Sequence, residues 1–65
     1  MRLNSLAIKK LMVEKGMSIK ALSNLSGISR QSVSTILARG TCSIVNAGRI
    51  AAALHVKPEE IWKEE

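Results

Sequence analysis

Three times in sixty-five residues the chain repeats one local pattern: an apolar residue, a short polar residue able to cap a helix, and a second apolar residue four positions after the cap. Leu3-Asn4 is followed by Ile8, Met17-Ser18 by Leu22, and Ile28-Ser29 by Val33. In this pattern the capping oxygen takes up an otherwise orphaned first-turn N–H, and the apolar pair staples the incoming chain to the helix. A glycine stands where each of the three helices should stop, at Gly16, near Ser26-Gly27 and near Arg39-Gly40. The chain is thus committed to short helices before any long-range contact forms. A fourth helix begins at one of two caps, Ser43 or Asn46 (the latter with Val45 and Ile50 as its staple), and runs through Ile50 and Leu54. His55 then occupies a position that usually takes glycine, and histidine is among the side chains that tolerate positive φ. Pro58 opens a fifth helix of one or two turns, with Glu59 and Glu60 placed favourably against its dipole.

The expected fold is all-α, a bundle of four to five short helices forming one domain over residues 1–65. A chain this short buries only about 60% of the surface it exposes when unfolded, so its core has little to spare. Cys42 and His55 are the sole residues of their types, too few for an internal disulfide or a zinc site, and no cofactor is expected. The core must be aliphatic, built from Ile8, Leu11, Met12, Ile28, Val33, Ile36, Leu37, Ile50, Leu54 and Ile61. Trp62 either closes that core or anchors a partner. No alternating run points to a hairpin. The chain has no Asp, and its single His and single Cys give no recognisable general-base pair, so an enzyme is not expected. Cys42 reads as a small half-buried side chain rather than a redox sensor. No leader-like segment and no apolar stretch near about 18 residues is present, which makes the cytoplasm the expected compartment and argues against a membrane partner.

Charge narrows the choice of partner. Residues 1–58 carry nine Lys or Arg against Glu14 alone, a net +8, while residues 59–65 carry Lys63 against Glu59, Glu60, Glu64 and Glu65. A basic body with an acidic tail suits a polyanion that meets the body. The segment 18–40 gives that partner a place. Two helices that meet steeply need small residues where they touch, and Ser23 and Ser26 supply them. Gly27 accepts the turn between them. Val33, Ile36 and Leu37 fall on one side of the second helix. Arg30, Gln31, Ser34 and Thr35 fall on the other, with Ala38 beside them. That outer set is rich in donors and acceptors and free of carboxylates, which fits the edges of bases in a major groove.

The run G-M-S-I-K-A-L-S-N-L-S-G-I-S-R, followed by I-A-A-A-L-H-V-K-P-E-E-I-W, resembles the lambda-repressor-like, Cro/cI-type (xenobiotic-response-element) helix-turn-helix family over nearly the whole chain. The resemblance implies a helix-turn-helix at about residues 18–39 whose second helix reads DNA. Arg30, Gln31, Ser34 and Thr35 match positions that face bases in that family. Phosphate contacts would come from Ser18, Ser32, Arg39, Thr41 and Ser43, with Lys20 and Arg49 as weaker candidates. Three departures stand out. Ile19 replaces a common Gln that touches the DNA backbone. Met12 and Leu37 replace an Arg and a Glu that usually pair across helices 1 and 3; their joint loss predicts that Met12 and Leu37 touch, because apolar groups can replace a buried pair when both charges go together. One extra residue precedes Gly40.

The implied function is a sequence-specific DNA-binding transcriptional regulator, a repressor of phage, mobile-element or bacterial type, bound to a double-stranded operator without a small-molecule ligand. One helix reads few base pairs, so a homodimer through helix 4, helix 5 or the Trp62 tail is expected. The alternative is a protein-binding module, an antitoxin or anti-repressor that keeps the fold. A cationic membrane-active peptide is disfavoured, since such peptides need an amphipathic moment but no capped, folded core.

Overall fold

A computed structural model describes residues 1–63; Glu64 and Glu65, the end of the acidic tail, lie outside the described residues. Four α-helices follow one another: α1 (Ser5–Glu14), α2 (Ile19–Ser26), α3 (Arg30–Arg39) and α4 (Ile44–Leu54), then a 3-10 turn at Pro58–Glu60. Each helix starts at a capping side chain. Asn4 Oδ1 accepts the Ala7 N–H at 3.1 Å, Ser18 Oγ that of Ala21 at 3.1 Å, and Ser29 Oγ that of Ser32 at 3.2 Å. Ser43 caps α4 by accepting the Asn46 N–H at 3.1 Å, which settles the choice between the two candidate caps. Asn46 therefore lies inside the first turn of α4, not before it.

Helix ends follow the same local chemistry. α1 ends at Glu14, two residues before Gly16: the Gly16 N–H donates to Val13 C=O and the Met17 N–H to Met12 C=O, which pairs these carbonyls of the last turn. At the end of α4 His55 takes the left-handed conformation (φ 58°), and the His55 and Val56 N–H groups close on Ala52 and Ala51 in the same way. α3 runs to Arg39, so the extra residue before Gly40 is absorbed as helix rather than as loop. The fifth element is a single 3-10 turn, in which a Glu60 carboxylate oxygen accepts the Lys57 N–H at 2.8 Å.

The core joins all of these elements. Ile8, Leu22, Val33, Ile50, Leu54 and Ile61 are fully buried, and Leu3, Met12, Ile28, Ile36, Leu37, Ala47, Ala51 and Ala53 complete the cluster. α2 packs on both α3 and α4, α1 packs on α3, and the 3-10 turn packs on α4. Trp62 is half-buried and packs against this cluster. Met12 and Leu37 are 7% and 6% exposed, in the same cluster and on the two helices expected to carry them.

The turn between α2 and α3 is held by side-chain hydroxyls. Ser23 Oγ donates to the Ile28 carbonyl, Ser26 Oγ donates to the Ser23 carbonyl at 3.3 Å, and the Ile28 N–H donates to Ser26 Oγ at 3.3 Å. Both serines are buried. Their small size lets the helices meet, and their hydroxyls pair the backbone groups that the turn would otherwise strand. Ser23→Ala removes the donor to a buried carbonyl and is expected to cost about 1–3 kcal/mol. In a thermal melt that loss should lower Tm by at least about 4 °C; an unchanged Tm would show that the hydroxyl is dispensable.

One feature has no counterpart in the periodicity. Residues 1–4 run extended between two distant segments. Arg2 pairs antiparallel with Thr41, and Leu3 with Trp62. The Leu3 N–H donates to Gly40 C=O and the Asn4 N–H to Ile61 C=O, both at 2.7 Å, while the Lys63 N–H donates to Arg2 C=O at 3.1 Å. These are isolated bridges rather than strands, and no alternating run of residues announces them. No described helix is long and apolar enough to cross a membrane.

Candidate nucleic-acid interface

α3 is amphipathic in the sense its sequence requires. Val33, Ile36 and Leu37 are buried, and Arg30, Gln31, Ser34, Thr35 and Ala38 are exposed. The buried three fix the rotation of the helix, so the outer five are presented as a set. Gly27 (φ 74°) makes the left-handed step that turns the chain from α2 into α3. The Ser23 and Ser26 hydroxyls tie the end of α2 to Ile28, just before α3.

Hydrogen bonds define what the polar side chains have left to offer. Thr35 Oγ1 donates to the Gln31 carbonyl at 2.9 Å, so its proton is occupied while its lone pairs and methyl group remain. Ser29 Oγ donates to Ser32 Oγ at 2.8 Å, which leaves the Ser32 hydroxyl proton free to be donated. Ser18 and Ser43 use their oxygens as helix caps, and each retains its own hydroxyl proton as a donor. These three are the kind of neutral donors that phosphate oxygens accept.

The residues expected to contact DNA fall into separate groups. Gln31, Ser32 and Thr35 border a recess of about 310 Å³ between α3 and α4, together with Ile36, Cys42 and Asn46. Arg39 and Thr41 line a second recess of about 440 Å³ at the far end of α3, where Arg2 and Lys63 also lie. Arg30, Ser34, Ser18 and Ser43 are exposed and line neither recess. The sequence offered Asn46 only as a candidate cap, and Arg2 and Lys63 only as part of the overall charge. Asn46 carries a signal only once Ser43 is known to be the cap, and the other two become neighbours of α3 only through the stitch. Ile19 opens α2 and is 38% exposed, so its side chain is only partly withdrawn from solvent.

Cys42 is half-buried, and its Sγ donates to the Ser43 carbonyl at 3.2 Å. Burial pushes the thiol above its ordinary range, against a smaller lowering by the Met1 amino group. The thiolate is therefore scarce at neutral pH, which is the inert form of cysteine.

Comparison with known proteins agrees with this geometry. The solved structure of the restriction-modification controller protein C.AhdI from Aeromonas hydrophila superposes with a TM-score of 0.76 at 34% sequence identity, covering 86% of each chain. No curated protein sequence matches the chain significantly. The family model of the Cro/C1-type helix-turn-helix DNA-binding domain matches residues 7–63, from the first turn of α1 to the end of the described structure. The chain belongs to the Cro/C1-type helix-turn-helix DNA-binding family.

Proposed function

We propose that this regulator is a repressor that lays α3 in the major groove of a specific operator and needs no ligand to do so. The observation that carries the reading is the outer face of α3: five adjacent exposed positions, Arg30, Gln31, Ser34, Thr35 and Ala38, with no carboxylate, on a helix rotated into place by its buried side. Arg30 offers a fork for guanine O6 and N7, Gln31 a donor–acceptor pair for adenine, and the Thr35 methyl a contact for thymine. Ala38 lets the groove wall come close. Ser18, Ser32, Arg39, Thr41 and Ser43 set the register by contacting phosphates, which fixes position without reading sequence. Selection from random duplexes with the purified protein tests this. A single enriched motif, bound with an affinity that falls steeply as salt rises, is the expected result. No binding to any duplex at low salt would instead favour a protein partner.

A homodimer completes the reading. Two half-sites would lie about 34–36 Å apart, one turn of DNA. α4 offers the surface: Ile44 and Val45 are 75% and 64% exposed, and Gly48 and Ala52 continue the face along the helix with little side-chain bulk. Ile44→Glu with Val45→Glu is expected to yield a monomer in sedimentation equilibrium and to weaken operator binding. Acidic residues in the first turn of a helix favour its dipole, so this variant should keep its fold. A dimer that survives the double change would move the interface to the 3-10 turn or Trp62.

A further inference from the structure

We infer that Asn46, on the first turn of α4, is a positioning residue for base reading: across the recess between α3 and α4 its side-chain amide holds that of Gln31 in the one orientation that suits adenine. The inference rests on the proposed DNA-reading role of α3 and names what steadies one of its readers. Asn46, Gln31 and Thr35 are walls of the same recess of about 310 Å³. Buried Ala47, Ile50 and Ala51 fix α4 on the core, and Asn46 is half-buried next to them. Its backbone N–H is taken up by Ser43. Its side-chain amide and that of Gln31 have no hydrogen-bond partner among the described residues.

Gln31 needs such a partner because its amide has two faces. The oxygen and the NH2 are both used when glutamine pairs with adenine N6 and N7. Turned over, the amide sets its NH2 against N6 and its oxygen against N7, and both contacts are lost. Gln31 is exposed at the second position of α3, so packing does not choose between the two orientations. Its neighbours in the recess offer little. Thr35 Oγ1 has given its proton to the Gln31 carbonyl, so it accepts but does not donate. The Cys42 thiol donates to the Ser43 carbonyl, and Ile36 is apolar. Ser32 follows Gln31 directly, and successive residues on a helix do not face each other. The Asn46 amide can accept from Nε2 or donate to Oε1, directly or through one water. Adenine uses one Nε2 proton and one Oε1 lone pair, so Asn46 takes what adenine leaves and the two do not compete. Among the described residues no lysine, arginine or carboxylate lines this recess.

The test compares Asn46→Ala, Gln31→Ala and the double variant of the full chain on the operator obtained by selection and on its single-base changes. Asn46→Ala is expected to relax the same base pair as Gln31→Ala, by roughly two- to tenfold, the range of one hydrogen bond. In the double variant Asn46→Ala should add nothing to the relaxation, since there is no longer an amide to hold. The salt slope should stay unchanged, because no counterion is released by a neutral group. Alanine is at home in a helix, so Tm should hold; Asn46→Gln, which keeps an amide, should retain most of the preference. Equal weakening of every duplex by Asn46→Ala would make Asn46 a phosphate contact and overturn the positioning role. Additive effects, relaxation at a different base pair, or a Gln variant as relaxed as the Ala variant would overturn it too. Failure of Gln31→Ala to relax any base pair, or of the parent chain to bind any duplex, would instead remove the reading of α3 on which the inference stands.

Discussion

Arg30→Ala is expected to erase the preference for one base pair in the operator, at a cost of about 1–3 kcal/mol, or roughly 5- to 150-fold in discrimination. Arg30 is exposed at the first position of α3, so its loss should leave the fold intact. The alanine also removes a charge, which weakens binding to every duplex. Arg30→Lys separates the two effects, because lysine keeps the charge but cannot form the planar fork. Lysine should therefore lose the base preference while keeping the salt slope. Gln31→Ala should relax a neighbouring position with no effect on that slope, since a neutral side chain releases no counterion. Selected-duplex binding with each variant reads these outcomes. If Arg30→Ala and Gln31→Ala weaken all duplexes equally, both side chains serve the backbone and direct readout by α3 fails.

The second large effect is on stability. Met12 is 7% exposed on α1, and Leu37 is 6% exposed on α3, which packs against it. Met12→Arg would place a guanidinium in this core with no carboxylate to meet it. Leaving one partner of a buried pair uncompensated costs about 3–5 kcal/mol. A chain of this length has a total stability of roughly 3–10 kcal/mol. The single variant should thus be close to unfolded, with Tm lowered by more than about 10 °C. Adding Leu37→Glu supplies the missing charge, and the double variant should recover at least half of the loss. That recovery is the coupling a double-mutant cycle measures. A single variant with an unchanged Tm, or a double variant no better than the single, would show that the two side chains do not share a site.

What the sequence made legible was local. Asn4, Ser18 and Ser29 announce helix starts because a cap acts on N–H groups two or three residues away, whereas the sequence left Ser43 and Asn46 as alternatives for α4. His55 could be placed in a left-handed turn for the same reason. The rotation of α3 followed from Val33, Ile36 and Leu37, and with it the exposed set around Arg30. Local reasoning failed where the partner lay far along the chain. Nothing near Leu3 or Asn4 indicates that their N–H groups will meet Gly40 and Ile61. Nothing near Arg2 indicates that its carbonyl will accept the N–H of Lys63. The serines of the turn show an intermediate case: their smallness was readable from the steep helix crossing, but the carbonyls that their hydroxyls satisfy were not.

The stitch also bears on how the chain is made. Asn4 leaves the ribosome well before Ile61, to which its N–H is bound. The pairing that closes the domain therefore waits until Ile61 has emerged. Until then α2 and α3 can form and dock through neighbouring contacts, while Leu3 and Asn4 wait for the carbonyls and side chains that will shelter them.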